Sequence, residues 1–149
     1  MTRICFVVFG KPQTAGSKRA FPFRRKNGLL GVAVSDDNPK SRDWKNAVSD
    51  AGANQGLDGL LSGPLKLTLT FYAPRPKGHS GKKGLKATAP AYPITRPDVL
   101  KLARAVEDAL TGVVWGDDSQ VVNEVLFKRY GEPARVEIEI EGMVEDGSD

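Results

Sequence analysis

The chain is poor in the residues that build disulfide scaffolds and that activate side-chain nucleophiles. Among its 149 residues there is one cysteine, Cys5, and one histidine, His79. A single cysteine can form no internal disulfide, which favours a reducing, cytoplasmic location. Neither Cys5 nor Ser119 has an identifiable histidine partner, so covalent nucleophilic catalysis is not expected.

Long apolar runs are also missing. The N-terminal run RICFVVFG stops at Gly10, which is too short to span a bilayer. It has no small-residue cleavage site, so it does not predict a signal peptide. Its β-branched and aromatic residues instead predict a strand over 3–9, with Cys5 as a buried core thiol.

Basic and acidic residues are segregated along the chain. The net charge is +4, and six basic residues lie between positions 11 and 26 without any acid. Eight more lie between positions 75 and 104, where Asp98 is the single acid. One such run is typical of a solvated loop, but two runs flanking an aspartate motif favour a nucleic-acid partner. The candidate phosphate-binding residues are Lys18, Arg19, Arg24, Arg25, Lys82, Lys83, Lys86, Arg96 and Lys101.

Hydrophobic periodicity predicts a small single α+β domain, with two main helices packed on a mixed β-sheet in the order β-β-β-α-β-α-β-β. The first helix begins near Pro39, and the second spans 97–110 with Thr95 as its cap. Residues 74–93 form a long loop, which predicts either function or disorder. The domain covers 1–142, and 143–149 form an acidic, disordered tail.

Two acidic positions frame the second helix and are candidates for metal-dependent chemistry. Asp98 lies at the start of the helix, and Asp117-Asp118 follow its end. Carboxylates suit hard divalent cations, and such ions support phosphodiester hydrolysis. Asp98 and Asp118 are therefore candidate metal ligands. Asp117 is either a further ligand or an ordinary turn residue.

Simpler explanations exist for parts of this arrangement. An aspartate at a helix start gains from the helix dipole without any metal. Arg104 lies on the face of the helix that points away from the core. It either stabilises charge on a phosphate or is simply solvated.

The segment RPDVLKLARAVEDALTGVVWGDDSQV resembles the RusA family of Holliday junction resolvases, which are phage and prophage endodeoxyribonucleases. The family pattern is Asp-x-Asp-Asn, a basic residue on the next turn, Asp-Ala-Leu and Asp-Asp-x-Gln-Val. Asp98 matches its first aspartate and Arg104 its basic residue, while 108–110 and 117–121 match without a gap. The resemblance continues through the loop GKPQTAGSKRAFPFR and the closing FKRYG.

This resemblance implies a RusA-like fold and a homodimeric, Mg²⁺-dependent nuclease, with Mn²⁺ as a substitute. Its substrate would be branched DNA, chiefly four-way junctions, cut by paired symmetric nicks in recombination and repair. The expected location is the cytoplasm of a bacterium or a phage-infected host. No membrane partner and no small-molecule substrate are expected.

One family ligand is missing, because Leu100 replaces the second aspartate of the first acidic motif. Only Asp98 and Asp118 remain of the three acids that bind metal in the family, with Asp117 as a candidate replacement. Glu107 and Asp108 are possible auxiliary acids. Glu107 lies about 10.5 Å along the helix from Leu100, and Asp108 about 15 Å from Asp98, too far for direct substitution.

Two other functions stay open. Leu100 is compatible with a weakly active or inactive protein that binds branched DNA. An RNA- or ribosome-associated basic domain is a third possibility, but it gives no reason for the aspartate arrangement.

Overall fold

The computed structural model describes residues 2–15, 18–36 and 39–144, with the backbone alone at 18–21 and 33–36. Two helices and eight strands are formed in this part of the chain. They are β1 (Arg3–Phe9), β2 (Lys18–Arg24), β3 (Leu30–Asp36), α1 (Pro39–Ala53), β4 (Leu65–Ala73), β5 (Ser80–Gly81), β6 (Gly84–Leu85), α2 (Val99–Leu110), β7 (Val121–Tyr130) and β8 (Arg135–Gly142). Residues 145–149, most of the predicted tail, lie outside the described residues.

The main sheet has the strand order β1-β8-β4-β7. Strands β4 and β7 are parallel, while β8 is antiparallel to both β1 and β4. A parallel pair needs a crossover connection, and α2 lies in the one between β4 and β7. The predicted α+β domain with a mixed sheet and two helices is confirmed. The two-residue strands β5 and β6 are additional.

One face of the sheet forms the core with the two helices. In β4 the residues Leu65, Leu67, Leu69 and Phe71 are buried and alternate with half-buried polar ones. They pack with buried residues of α1, α2 and β8, including Trp44, Val48, Leu102, Val106, Leu110, Val136, Ile138 and Ile140. The hydrophobic periodicity that predicts this domain is thus observed in β4 and in both helices.

The other face of the sheet carries no helix in the described part of the chain, and it mixes polar side chains with exposed apolar ones such as Phe9. Arg3 of β1 forms an ion pair with Glu139 of β8 at 2.9 Å. Cys5 lies on this same face, two residues from Arg3, and is exposed. The prediction of a buried core thiol was therefore wrong, because an apolar edge strand alternates between covered and open faces.

A lysine of β7 fixes the start of α2. Lys128 Nζ donates hydrogen bonds to the carbonyl oxygens of Thr95 (2.8 Å) and Pro97 (2.9 Å). The helix then begins at Val99, with Asp98 in the N-cap position. The predicted cap Thr95 was wrong, since its carbonyl binds the lysine and the helix starts later.

The end of α2 is fixed by α1. Ser49 Oγ donates to the carbonyl of Ala109 at 2.6 Å, and Lys45 pairs with Asp108 at 3.6 Å. Gly52 allows the close approach, because a Cβ there would lie 2.7 Å from Leu110 Cδ2. The half of α2 that carries Glu107 is therefore held rigidly against α1.

The β2–β3 hairpin forms a separate two-stranded sheet. Its turn is the Asn27-Gly28 pair, in which Asn27 Oδ1 accepts from the backbone N–H of Leu29 and Gly28 has φ of 83°. In the part of the chain with described side chains, Leu30 and Val32 are about 70% exposed. The hairpin therefore projects from the domain.

The segment 74–93 is an anchored structure rather than an open loop. Arg75 donates to the carbonyl of Pro90 at 2.7 Å and lies 4.3 Å from the ring centroid of Tyr130. His79 contacts the same ring edge-to-face at 5.4 Å. The single histidine thus packs against β7 and holds this segment, which includes the β5–β6 hairpin. No helix in the described ranges is long and apolar enough to cross a membrane.

Candidate active site and nucleic-acid interface

Three carboxyl groups meet between the second half of α2 and the start of β7. Glu107 is half-buried on α2, and its carboxyl hydrogen-bonds to that of Glu124 on β7. Burial raises the pKa of Glu107 to about 8, and the hydrogen bond and negative charge of Glu124 and the charge of Asp118 add to this effect. At neutral pH, therefore, the Glu107 carboxyl keeps its proton. We call Glu107, Glu124 and Asp118 the acidic cluster.

The fold explains why these residues meet. Glu124 is level with Leu67 of the parallel strand β4, so its side chain lies on the side of the sheet that the helices cover. Asp118 opens the short 3₁₀ turn 118–120, which leads directly into β7. Because α2 and β7 are consecutive elements of one crossover, the end of the helix lies next to the start of the strand.

Sequence reasoning missed Glu124. Its signal was the alternation of β7, where Glu124 shares the covered side with Leu126 while Phe127 lies on the other. That pattern is visible in VVNEVLFKRY once the strand direction is known.

Asp117 shapes the turn that presents Asp118. Its Oδ1 accepts a hydrogen bond from the backbone N–H of Ser119 at 2.9 Å, which lowers the pKa of Asp117. Gln120 Oε1 accepts from the N–H groups of Gly116 and Asp117, both at 3.0 Å, and completes a capping box. The turn interpretation of Asp117 therefore has a direct structural basis.

Asp98 lies at the opposite end of α2 from the acidic cluster. It is exposed in the N-cap position, and its side chain makes no capping hydrogen bond. Nine residues separate it from Glu107, which corresponds to about 13.5 Å along the helix axis. Asp98 is not among the charges that shift the pKa of Glu107. The structure thus brings Asp118 to Glu107 and places Asp98 apart.

The exposed face of α2 connects the two ends. Leu100 and Arg104 are exposed, and their spacing puts them on the same side of the helix as Glu107. Arg104 forms no ion pair with another described residue. Its guanidinium is therefore available to an anion. Asp108 is occupied by Lys45, so its contact is with α1.

The acidic cluster matches a divalent cation in the chemistry of its donors. Carboxylate oxygens are the preferred ligands of Mg²⁺, and a bound cation would replace the proton that Glu107 keeps at neutral pH. A complete ligand set is not assembled, because the described residues contain no group of three or more His, Cys, Asp or Glu arranged to hold a metal ion. The structure therefore supplies donors of the right kind but not a closed site.

The candidate phosphate-binding residues lie on exposed parts of three elements. Lys82 and Lys83 form the tip of the β5–β6 hairpin, and Lys86 follows it. Arg96 and Lys101 flank Asp98, and both are exposed. Arg24 and Arg25 are exposed at the end of the β2–β3 hairpin. The side chains of Lys18 and Arg19 lie outside the described residues.

Two comparisons with known proteins cover most of the chain. A family model described as endodeoxyribonuclease RusA matches residues 12–141, which include α2, the acidic cluster and the basic hairpins. The chain is also 33% identical over 143 residues to the uncharacterized protein YqaN of Bacillus subtilis (strain 168). That alignment covers 94% of this chain and 96% of YqaN, so the similarity extends over both proteins.

Proposed function

Because this chain belongs to the endodeoxyribonuclease RusA family, we propose that it is a Mg²⁺-dependent nuclease that binds four-way DNA junctions and cuts them by paired symmetric nicks. The observation that carries this proposal is the acidic cluster beside the exposed Arg104, within a surface rich in lysine and arginine. Carboxylates and free cations side by side are what hydrolysis of a bound phosphodiester requires.

The proposed chemistry divides between the two ends of α2. When bound, a divalent cation supplies charge neutralisation and an activated water. Asp118 is the proposed metal ligand at the acidic cluster and Asp98 the one at the other end of α2, with Asp117 as the predicted third candidate and Mn²⁺ as a substitute ion. We add Glu107 and Glu124, since burial and the charges of Glu124 and Asp118 raise the pKa of Glu107, and those negative charges favour a cation at this position. Glu107 lies about 10.5 Å along the helix from Leu100, so these acids would add ligands at the Asp118 end of α2 rather than replace the carboxylate absent at Leu100.

The basic residues have a positioning role in this proposal. Arg104 would contact the scissile phosphate, because it is exposed on the α2 face between the two acidic positions. The lysines of the β5–β6 hairpin and the arginines of the β2–β3 hairpin would bind phosphates farther along the arms. Such contacts position a branched duplex without reading its sequence.

Paired nicks require two active sites, which leads to the proposal of a homodimer. A two-fold axis relates two strands of like polarity in a four-way junction, and a dimer with the same symmetry would place one site on each. Sedimentation of the free protein and of its junction complex tests this. A monomer in both states would contradict it.

The function is tested with a labelled four-way junction and a linear duplex of the same length. Each is incubated with protein in Mg²⁺, in Mn²⁺ and in EDTA, and resolved on native and denaturing gels. We expect metal-dependent paired nicks in the junction alone. Asp98→Asn and Asp118→Asn should abolish cleavage and retain or strengthen binding, since each removes a negative charge near phosphate. Normal cleavage by either variant would overturn its assignment as a ligand.

A second function is favoured by two specific observations. Leu100 replaces a family ligand, and no complete set of metal-binding side chains is assembled in the described part of the chain. Both suit a protein that binds branched DNA without cutting it. Tight junction binding with no nicks in either metal would establish this alternative.

A further inference from the structure

A cavity of about 340 Å³ opens beside the start of α2, and neither the acidic cluster nor the basic hairpins account for it. It lies between the ends of β4 and β7 and the segment that leads into the helix. Its walls are largely flat and apolar, formed by residues that include Phe71, Tyr130, Pro12, Pro76, Pro93 and Pro97. We call it the base cavity.

The walls of the base cavity are held in place before any ligand arrives. Proline rings have a fixed backbone φ and little freedom to lose. Tyr130 is held by the guanidinium of Arg75 at 4.3 Å and by the ring of His79. Lys128 also lines the cavity, and two of its three N–H groups bind the carbonyls of Thr95 and Pro97. The cavity is therefore preformed, which lowers the entropy cost of binding.

The charge around the base cavity is entirely positive. Lys11, Arg96, Lys128 and Arg129 contribute to its lining, and no acidic side chain does so among the described residues. Lys11 and Arg96 are exposed, so their charged groups can reach a ligand at the mouth. Flat apolar walls with cations at the mouth match a nucleotide, whose base is planar and whose phosphates are anionic.

The base cavity is placed so that the DNA strand bound at the acidic cluster would also reach it. The two sites lie toward opposite ends of α2, where Asp98 and Glu107 are about 13.5 Å apart along the helix axis. That length equals about four nucleotide steps of a stacked strand at about 3.4 Å each. At the centre of a four-way junction the stacking of bases is interrupted, so extracting one base costs least there.

We propose that the base cavity holds one unstacked nucleotide from the crossover of a DNA junction, with Lys11 and Arg96 on its phosphates. The inference deepens the proposed nuclease function and rests on it. It gives the protein a means of choosing where at the crossover it acts, because bases differ in the cost of leaving the stack. Phosphate contacts on the hairpins cannot supply that choice.

The test uses junctions with 2-aminopurine at each crossover position in turn, bound in EDTA so that no cleavage occurs. Fluorescence should rise severalfold at one position, where the base leaves its neighbours, and stay unchanged at the others.

A variant with a filled cavity, Ala73→Met with Thr95→Met, should abolish that rise. It should also weaken junction binding by about fivefold or more, the range for losing one stacked base. The matched control is Thr2→Met with Val144→Met, at exposed positions outside this cavity.

A second measurement on the unaltered protein does not depend on how the variants fold. 5-Iodouracil at the responsive position should photocrosslink to the peptide that contains Tyr130, both in a junction and in a short single strand. Any of three results would overturn the inference. They are a crosslink confined to other peptides, no position-specific rise in fluorescence, and a fluorescence rise that the filled variant retains.

These outcomes are separable from failure of the proposed function. Metal-dependent junction cleavage without any change in 2-aminopurine fluorescence would support the nuclease function and contradict the nucleotide site in the base cavity. A crosslink between a single strand and Tyr130, without junction binding or cleavage, would support the nucleotide site in the cavity and contradict the nuclease function.

Discussion

At the scale of single residues, the side chains that differ from the family pattern are in water-accessible positions. Leu100 is 69% exposed on α2, so its side chain contributes little to the core. Its neighbours on that face are Arg104 and Glu107. A carboxylate at position 100 would therefore enter solvent beside a free guanidinium, and no packing would be lost.

The first prediction concerns this position. Leu100→Asp should raise the rate of metal-dependent junction cleavage, because it restores a carboxylate that binds metal in the family. Its free energy of unfolding should change by about 0.5 kcal/mol or less, as is usual for exposed positions. Cleavage is measured under single-turnover conditions, and stability by urea denaturation. Leu100→Asn is the control; an equal gain from asparagine would show that charge is not the cause.

The second prediction concerns the pH dependence of stability through Glu107. Its pKa is about 8 in the folded protein against an ordinary value of 4.5. Between these values the unfolded chain loses this proton while the folded chain keeps it, so the free energy of unfolding falls as pH rises. The contribution is complete below pH 4.5 and lost above pH 8. Because Glu107 is partly exposed, its size should be on the order of 1 kcal/mol after solvent screening.

Glu107→Gln tests this, because glutamine has no proton to lose. Urea denaturation in EDTA at pH 5, 7 and 9 should show the variant gaining stability relative to the unaltered protein as pH rises. Glu132→Gln, at an exposed position in the β7–β8 turn, is the control and should follow the unaltered protein. Parallel curves for Glu107→Gln would contradict the prediction.

Residue-level sequence reasoning identified the acids by position but could not find their partners. Asp118 and Glu107 were both candidates, yet Glu124 was missed because its meeting with Glu107 depends on which face of β7 the helix covers. Cys5 was misplaced for a related reason. When an edge strand has apolar residues at successive positions, its sequence does not show which of its two faces is buried. That depends on the strands and helices beside it.

At the scale of elements, the strands and helices with regular periodicity were predictable. The alternation in β4 and the apolar stripes of α1 and α2 are each repeated over several residues, so they identify the element and its buried face. The β5–β6 hairpin was not predicted, since strands of two residues show no period. Its structure depends instead on the contacts of Arg75, His79 and Tyr130 beneath it.

The third prediction concerns the tip of that hairpin. Lys82→Ala with Lys83→Ala should weaken binding to junction and duplex alike, and should flatten the slope of log binding constant against log salt by about 1.8 units. The slope is measured by fluorescence anisotropy over a salt series. Lys66→Ala, on the open face of the sheet, is the control. An unchanged slope would show that the hairpin tip does not contact DNA.

The fourth prediction concerns the contact between α1 and α2. Gly52→Ala should destabilise the fold by about 1–3 kcal/mol, because the added methyl group would meet Leu110 and Val114 at 3.0 Å or less. Thermal and urea denaturation measure the loss. Gly78→Ala is the control, since a methyl group there would meet nothing within 4 Å. Equal stability of the two variants would mean that the helices separate at little cost.

At the scale of the whole molecule, the site is built on the crossover that makes β4 and β7 parallel. Lys128 ties the first turn of α2 to β7, while Ser49 and Lys45 tie its last turn to α1. The acidic cluster and the base cavity lie at the two ends of this fixed helix. Their separation is therefore a property of the core, whereas the basic hairpins project from it.

The hydrogen bond between the N–H of Gly142 and the carbonyl of Thr2, at 2.8 Å, brings the first and last strands of the sheet together. A short linker from Gly142 to Thr2 would thus allow the chain to be reopened elsewhere, and the Asn27-Gly28 turn is a suitable point. Such a circular permutant should keep all three strand pairings of the main sheet and the crossover, but its β2–β3 hairpin would become two free ends. Comparing its junction affinity with that of the uncut chain would measure what a covalently closed hairpin contributes to DNA capture.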